Sequence, residues 1–196
     1  MTTSITRREI LKALARGSVI GAVAGIVPLA TAERLHRNIE AGRATASRYK
    51  PKFFSAHQYK TLQALCQAII PADEHIGGAI EAGAPEFIDL LTSENSEYQL
   101  KLGGGIMWLD ALCIERFGKT YLDCSAVTQK EVLDLIAYRK NATTDPGLSQ
   151  GVSFFAFLRN LTADGFFTSK IGIEYLGYIG NTALAEFPGC PEVKDL

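Results

Sequence analysis

The chain has 196 residues, 47% hydrophobic and 21% charged, a balance that suits one globular domain able to bury its own core and excludes disordered, collagen-like and coiled-coil chains. Twenty Lys plus Arg against 21 Asp plus Glu, a formal net charge of -1, leave no basic excess to neutralise phosphates, so nucleic acid is not an expected partner. The charge is unevenly placed: residues 1–32 hold four bases and one acid, a net of +3, and the remaining 164 hold 16 bases and 20 acids, a net of -4.

At the amino terminus, Arg7-Arg8-Glu9-Ile10-Leu11-Lys12 precedes an uncharged stretch from Gly17 to Ala32 that contains Gly17, Gly21 and Gly25 and closes on the small-x-small triplet Ala30-Thr31-Ala32. The segment resembles a twin-arginine export signal, with Arg7, Arg8 and Lys12 as its basic elements and Ala30 and Ala32 as the residues read at the cut. Ile10 stands where that pattern prefers Phe. The resemblance implies passage through the twin-arginine translocase to the periplasm, with residues 1–32 as the signal peptide. Sixteen uncharged residues fall short of the roughly 20 that span ~30 Å of hydrocarbon, and an uncleaved anchor extended by Arg16 is the alternative. Because this route carries folded cargo, the signal points to a folded partner travelling with the chain.

Residues 33–54 contain five bases before Pro51, little apolar periodicity and a Pro-Lys-Phe-Phe end, the features of a linker into a domain spanning 55–196. Ser55-x-x-Gln58 has the form of a capping box, and Tyr59, Leu62, Cys66 and Ile69 then recur at helical spacing until Pro71. After a polar loop, Pro85 can open a short helix through Phe87, Leu90 and Leu91. A longer helical stretch from about Ser96 to Phe117 is interrupted by Gly103-Gly104-Gly105. Glycines inside a helix cost roughly 1 kcal/mol each, so these predict a kink or the close approach of another backbone. Thr128-x-x-Glu131 predicts a helix ending at Arg139-Lys140, and 141–147 a turn-rich loop. From Gln150, the run Val152, Phe154, Phe155, Phe157, Leu158 and Leu161 is apolar on most faces, as in a buried helix. No segment alternates at period two, so the expected fold is mostly α, a compact domain of at least five helices.

Chemistry-bearing patterns are sparse. Leu102-Gly103-Gly104-Gly105-Ile106 lacks the spacing of a phosphate cradle, and no Cys-x-x-Cys-His for c-type haem is present. Asp73-Glu74-His75 is the one cluster a divalent cation would suit, but three consecutive residues seldom converge on one ion, and the bland reading is a solvated loop with Asp73 capping a turn. Asp110, Glu115 and Asp134 read as the wet sides of helices. No catalytic, cofactor-binding or metal-ligating residue is therefore assigned. Of four cysteines, Cys66 lies on an apolar helix face. Cys113 and Cys124, 11 residues apart, are candidates for a loop-closing disulfide, and Cys190, in the tail, for a bond to another chain; free thiols are the alternative.

The segments Leu62 to Asp73, Gly83 to Asp89, Asp164 to Gly172, Leu176 to Asn181 and Phe187-Pro188-Gly189-Cys190, taken in order, resemble the gluconate 2-dehydrogenase subunit 3 family from about Phe54 to Pro191. The resemblance implies a non-catalytic, mostly helical subunit of a periplasmic oxidoreductase, membrane-associated through the complex where that is anchored. Its large subunit would carry FAD and oxidise a sugar or sugar acid, with electrons passing to a cytochrome c subunit that holds haem or to another acceptor. It assigns no catalytic residue to this chain. The glycine- and aromatic-rich segment from Gly165 to Phe187 is the expected contact with the large subunit, through Phe166, Phe167, Tyr175 and Tyr178, with filling of the chain's own core as the alternative. A stand-alone periplasmic enzyme, or a subunit tethered to the membrane by its leader, are the competing expectations.

Overall fold

The computed structural model describes residues 27–45, 49–74 and 76–178, and within these residues every regular element is helical, as the sequence predicts. Arg7, Arg8, Lys12, His75 and Cys190 lie outside the described residues.

The first element was not expected. Residues 33–45, read from sequence as part of a linker, belong to helix α1 (Leu29–Thr45). Three apolar residues suffice to dock it: Ala32, Leu35 and Ile39 recur at three and four and are buried in the core. Polar ties complete the seat. His36 stacks on Phe87 at 5.2 Å between ring centroids and its Nε2 lies 2.9 Å from Thr168 Oγ1. The half-exposed Arg43 guanidinium bonds the buried Glu86 carboxylate at 2.9 Å and donates to the carbonyls of Ile80 and Glu81. Ala30 and Ala32, read as the cleavage residues, stand in the first turn of this helix.

Helix α2 (Ala56–Ile69) starts where the capping box puts it, with Ser55 Oγ accepting from the Gln58 amide and Gln58 Oε1 accepting from the Ser55 amide. Helix α3 (Ala84–Ser93) opens with Pro85 in its first turn, behind Gly83 at φ +80°, a left-handed conformation that a side chain would strain. It is buried nearly all round, packed against α1, α2 and the long helix α8 (Ser149–Phe167), and is the centre of the molecule.

One α3 side chain organises the approach to α2. Asp89 has no solvent exposure, yet its carboxylate accepts four hydrogen bonds: from Tyr49 Oη and the Lys52 amide at 2.7 Å each, and from the Phe53 and Phe54 amides at 3.1 Å each. Burying a charge is tolerable when its lone pairs are all met in this way.

The glycine-bearing stretch departs from α geometry: the short helix α4 (Ser96–Tyr98) runs through a π-helical turn (Gln99–Gly103) into α5 (Gly104–Phe117). The close approach is made by side chains rather than a backbone. A Cβ on Gly105 would stand 2.0 Å from the Phe154 ring of α8, and one on Gly151 of α8 would stand 2.1 Å from the Trp108 ring of α5, so each helix supplies the gap that the other's ring fills.

Two expected boundaries shift. Helix α6 (Ala126–Ala137) is capped by Ser125, whose Oγ accepts from the Thr128 amide, so Thr128 lies inside the helix rather than before it. It stops before Arg139, because Tyr138 is extended (ψ 125°), and the expected loop from 141 contains helix α7 (Arg139–Thr144) and a 3-10 turn (Pro146–Leu148). Arg139 and Lys140 therefore open a helix instead of closing one. Helix α8 carries the apolar run as expected, and α9 (Lys170–Tyr175) follows a cap in which Ser169 Oγ accepts from the Gly172 amide.

Two outcomes test this account. Asp89→Ala would leave three amides and a phenol without a buried acceptor and is expected to cost about 3–5 kcal/mol in denaturant unfolding, with Asp89→Asn also destabilising because its NH2 faces donors. Burial lowers the pKa of His36. Its folded pKa lies below the unfolded value, so the stability it contributes is present above pH ~6.5 and lost as pH falls through the folded pKa. Between pH 7 and 5 the melting temperature should fall, and His36→Gln should flatten that slope.

Candidate partner interface

The carboxyl-terminal end of α8, together with α9, forms one wall of an apolar cleft of about 420 Å³. Ile69, Ile70 and Pro71 from the end of α2 and Ile76 from the loop after it form the other wall, and Arg159 lies at the side. The local chain geometry follows from one glycine: a Cβ on Gly172 would stand 2.0 Å from the Phe166 carbonyl oxygen, so only glycine lets α9 fold back against the end of α8.

The four aromatic residues expected at a partner surface separate into two roles. Phe166 is 4% exposed and belongs to the chain's own interior. Phe167, at 40%, and Tyr175, at 55%, are open to solvent and flank it, with ring centroids 5.1 Å and 6.3 Å from the Phe166 ring. Tyr178 is exposed as well. Sequence reasoning missed Ile173 and Leu176, which extend the exposed apolar surface. Five large apolar residues exposed within 12 positions are unusual for a surface facing water alone, and aromatic patches of this kind mark contact sites.

Gly177 adopts φ +61° with open space around it, so it serves a turn rather than close packing. Gly180 lies outside the described residues.

Elsewhere the titratable groups serve the fold. His57 Nε2 lies 2.7 Å from Asp110 Oδ2, the geometry of an acid–base pair, but Asp110 Oδ1 accepts the Tyr121 amide at 3.0 Å. Asp110 is thus a tie between α2, α5 and the 3-10 turn Tyr121–Asp123, not the solvated residue expected from sequence. Asp134 pairs with Lys130 on the α6 surface, and Glu115 is exposed, both as expected. Asp73 accepts the Ile76 amide, the expected turn cap. Among the described residues no three His, Cys, Asp or Glu side chains gather as they would around a metal ion. A wider groove of about 640 Å³ between α4 and α8 has Glu97 and Lys101 on its wall, already paired with each other at 2.7 Å.

Cys66, Cys113 and Cys124 are free thiols, and the expected pair lies close enough to interact, Cys113 and Cys124 being without an S–S bond. Burial pushes the Cys66 and Cys113 thiols up to about 12, with Cys124 reinforcing the effect on Cys113.

The described residues form an all-α domain with an aromatic-lined apolar cleft at one end. Residues 56–189 match the family described as gluconate 2-dehydrogenase subunit 3, and the chain belongs to that family. No curated protein and no solved structure matches it. Helix α1 lies before the matched region and packs on α3 within it.

Thiol chemistry provides the check. In the reduced, folded protein at pH 8, iodoacetamide should modify Cys124 at least about 100-fold faster than Cys66 or Cys113, whose labelling should appear only on unfolding.

Proposed function

We propose that the chain is the accessory subunit of an FAD-dependent dehydrogenase of the glucose–methanol–choline type acting on a sugar or sugar acid, which it binds, stabilises and accompanies through the twin-arginine translocase to the periplasm. The observation that carries the reading is the family match over residues 56–189, which implies a dehydrogenase partner. The apolar cleft with Phe167 and Tyr175 at its rim supports it by supplying a surface for that partner. In this division of labour the flavin chemistry lies in the large subunit, and a further cytochrome c subunit carries electrons away through haem. The part played by this chain is to hold the large subunit in a folded, export-competent state: burying exposed aromatic surface on binding shifts the partner's folding equilibrium toward the native form. The pair Arg7 and Arg8, with Lys12, would address both chains to the translocase.

Gentle purification of the tagged chain from the periplasm of its native host should yield a larger chain and a flavin absorbance spectrum. A lone, colourless protein would overturn the proposal. Phe167→Ala and Tyr175→Ala should each weaken co-purification, by about 30-fold in affinity where the ring is an anchor (~2 kcal/mol), while leaving helicity unchanged. Loss of helicity together with binding would return these rings to the chain's own core.

A further inference from the structure

Another cavity, of about 600 Å³, opens between the chain entering α2, the first half of that helix and the start of α3. It shares no lining residue with the α8–α9 cleft or with the groove beside α4. Tyr49 and Pro51 of the entering chain and Tyr59 of α2 give it an apolar wall, with the two tyrosine rings 5.7 Å apart between centroids. Glu86 of α3 is its buried acid, and Lys50 and Lys60 are its exposed bases.

Tyr59 is the anomaly. It is 7% exposed, and its hydroxyl is the one buried side-chain polar atom among the described residues without a hydrogen-bond partner. An unmet buried hydroxyl costs stability, and native chains leave few of them unexplained. Neither carboxylate near it answers the need. Asp89 already accepts four bonds, including one from Tyr49 Oη, and Glu86 gives Oε1 to Arg43 at 2.9 Å. Glu86 Oε2 has no partner among the described residues. Burial, reinforced by Glu86 and Asp89, holds the Tyr59 pKa above its ordinary value, so the group stays protonated and acts as a donor.

We infer that the cavity binds a small hydroxyaryl carboxylate, with its hydroxyl set between Tyr59 Oη and Glu86 Oε2, its ring on the wall of Tyr49, Pro51 and Tyr59, and its carboxylate at Lys50 and Lys60. Each part of that molecule answers one feature of the site. A hydroxyl both accepts and donates, so one group meets the unused tyrosine proton and the unused carboxylate oxygen together. A single water would do the same, but the cavity is many times the ~30 Å³ that one water takes. The tyrosine and proline faces select a flat apolar body over an open-chain polar one. Neither lysine has an ion-pair or hydrogen-bond partner among the described residues, so the exposed edge is cationic and selects an anion. A tyrosine hydroxyl left unmet in the free chain is then the mark of a site shaped for a ligand rather than for stability. The inference does not rest on the accessory-subunit reading, because every group in it belongs to this chain.

Ligand-observed NMR titration of the purified full chain with para-hydroxybenzoate tests the inference. Binding should saturate with a Kd of about 1 mM or tighter. Benzoate, which lacks the hydroxyl, and para-hydroxybenzyl alcohol, which lacks the charge, should each bind at least about tenfold more weakly. Tyr59→Phe separates binding from folding. Because the hydroxyl bonds nothing in the free chain, the variant should melt at the parent's temperature or above it, yet bind para-hydroxybenzoate at least about tenfold more weakly. Joint replacement Lys50→Gln and Lys60→Gln should weaken para-hydroxybenzoate and leave the alcohol unchanged. No saturable binding up to about 10 mM would overturn the inference. So would Tyr59→Phe binding as well as the parent, which would make water the partner of the hydroxyl, or Tyr59→Phe melting lower without ligand, which would give the hydroxyl a role in the fold.

Discussion

A carboxylate sealed from water inside a small domain can persist only if the chain around it is held so that donors converge on it, and Asp89 imposes that condition on the centre of this molecule. Its four bonds draw residues 49–54 across the flank of α3, and Ser55, the next residue, is the cap from which α2 departs. The direction of α2 is thus fixed by a side chain on α3. A second acidic residue on the same helix, Glu86, is met by Arg43 and gives α1 its anchor at the opposite end from the Arg34–Glu94 pair. Helix α3 therefore reads as an apolar core helix whose two carboxylates specify where its neighbours lie, the hydrophobic contacts supplying most of the free energy and the polar bonds the register.

What was legible in the sequence follows the strength of the local signal. The α2 cap, the Pro85 start and the apolar run of α8 were readable because side chain and backbone act on each other within a few residues. Helix α1 was not. Ala32, Leu35 and Ile39 are too few among charged neighbours to raise an amphipathic pattern, and the helix is fixed by partners 37 to 132 residues away, Ile80 and Thr168 at the two extremes. Thr128 misled for the opposite reason: Ser125 and Thr128 are both capping residues, and the bond that decides between them, Ser125 Oγ to the Thr128 amide, is visible only in three dimensions. The role of Gly105 was half legible, since its sequence context announces a close contact without saying that a ring from α8 makes it.

The candidate interface shows the same division. Phe166 and Phe167 are adjacent and chemically identical, and periodicity alone cannot tell which faces inward at the end of a helix that is apolar all round. Ile173, in a six-residue helix, and Leu176, just past its end, were passed over because so short an element carries no periodic signal. The cysteines lie between these cases: 11 residues of spacing permitted Cys113 and Cys124 to approach each other, and they do approach, as thiols. Family membership sits at a higher level than any of these details, because it rests on the order of many modest segments rather than on one site.

Under the proposed export route, with a leader removed after Ala32, the burial of Ala32 would set a clock on maturation. Proteases that trim leaders take their substrates as extended strands, and in the folded chain the bond after Ala32 lies in the first turn of α1, with Ala32 against the core and the Val27 amide tied to Asp164. A peptidase acting there must reach the chain before α1 closes or wait for it to fray, and the new amino terminus would start with Glu33, one turn shorter and without the Ala32 contact. On that route trimming and docking of α1 would be rivals for the same few residues, and whichever finished first would decide whether the protein keeps the top of that helix.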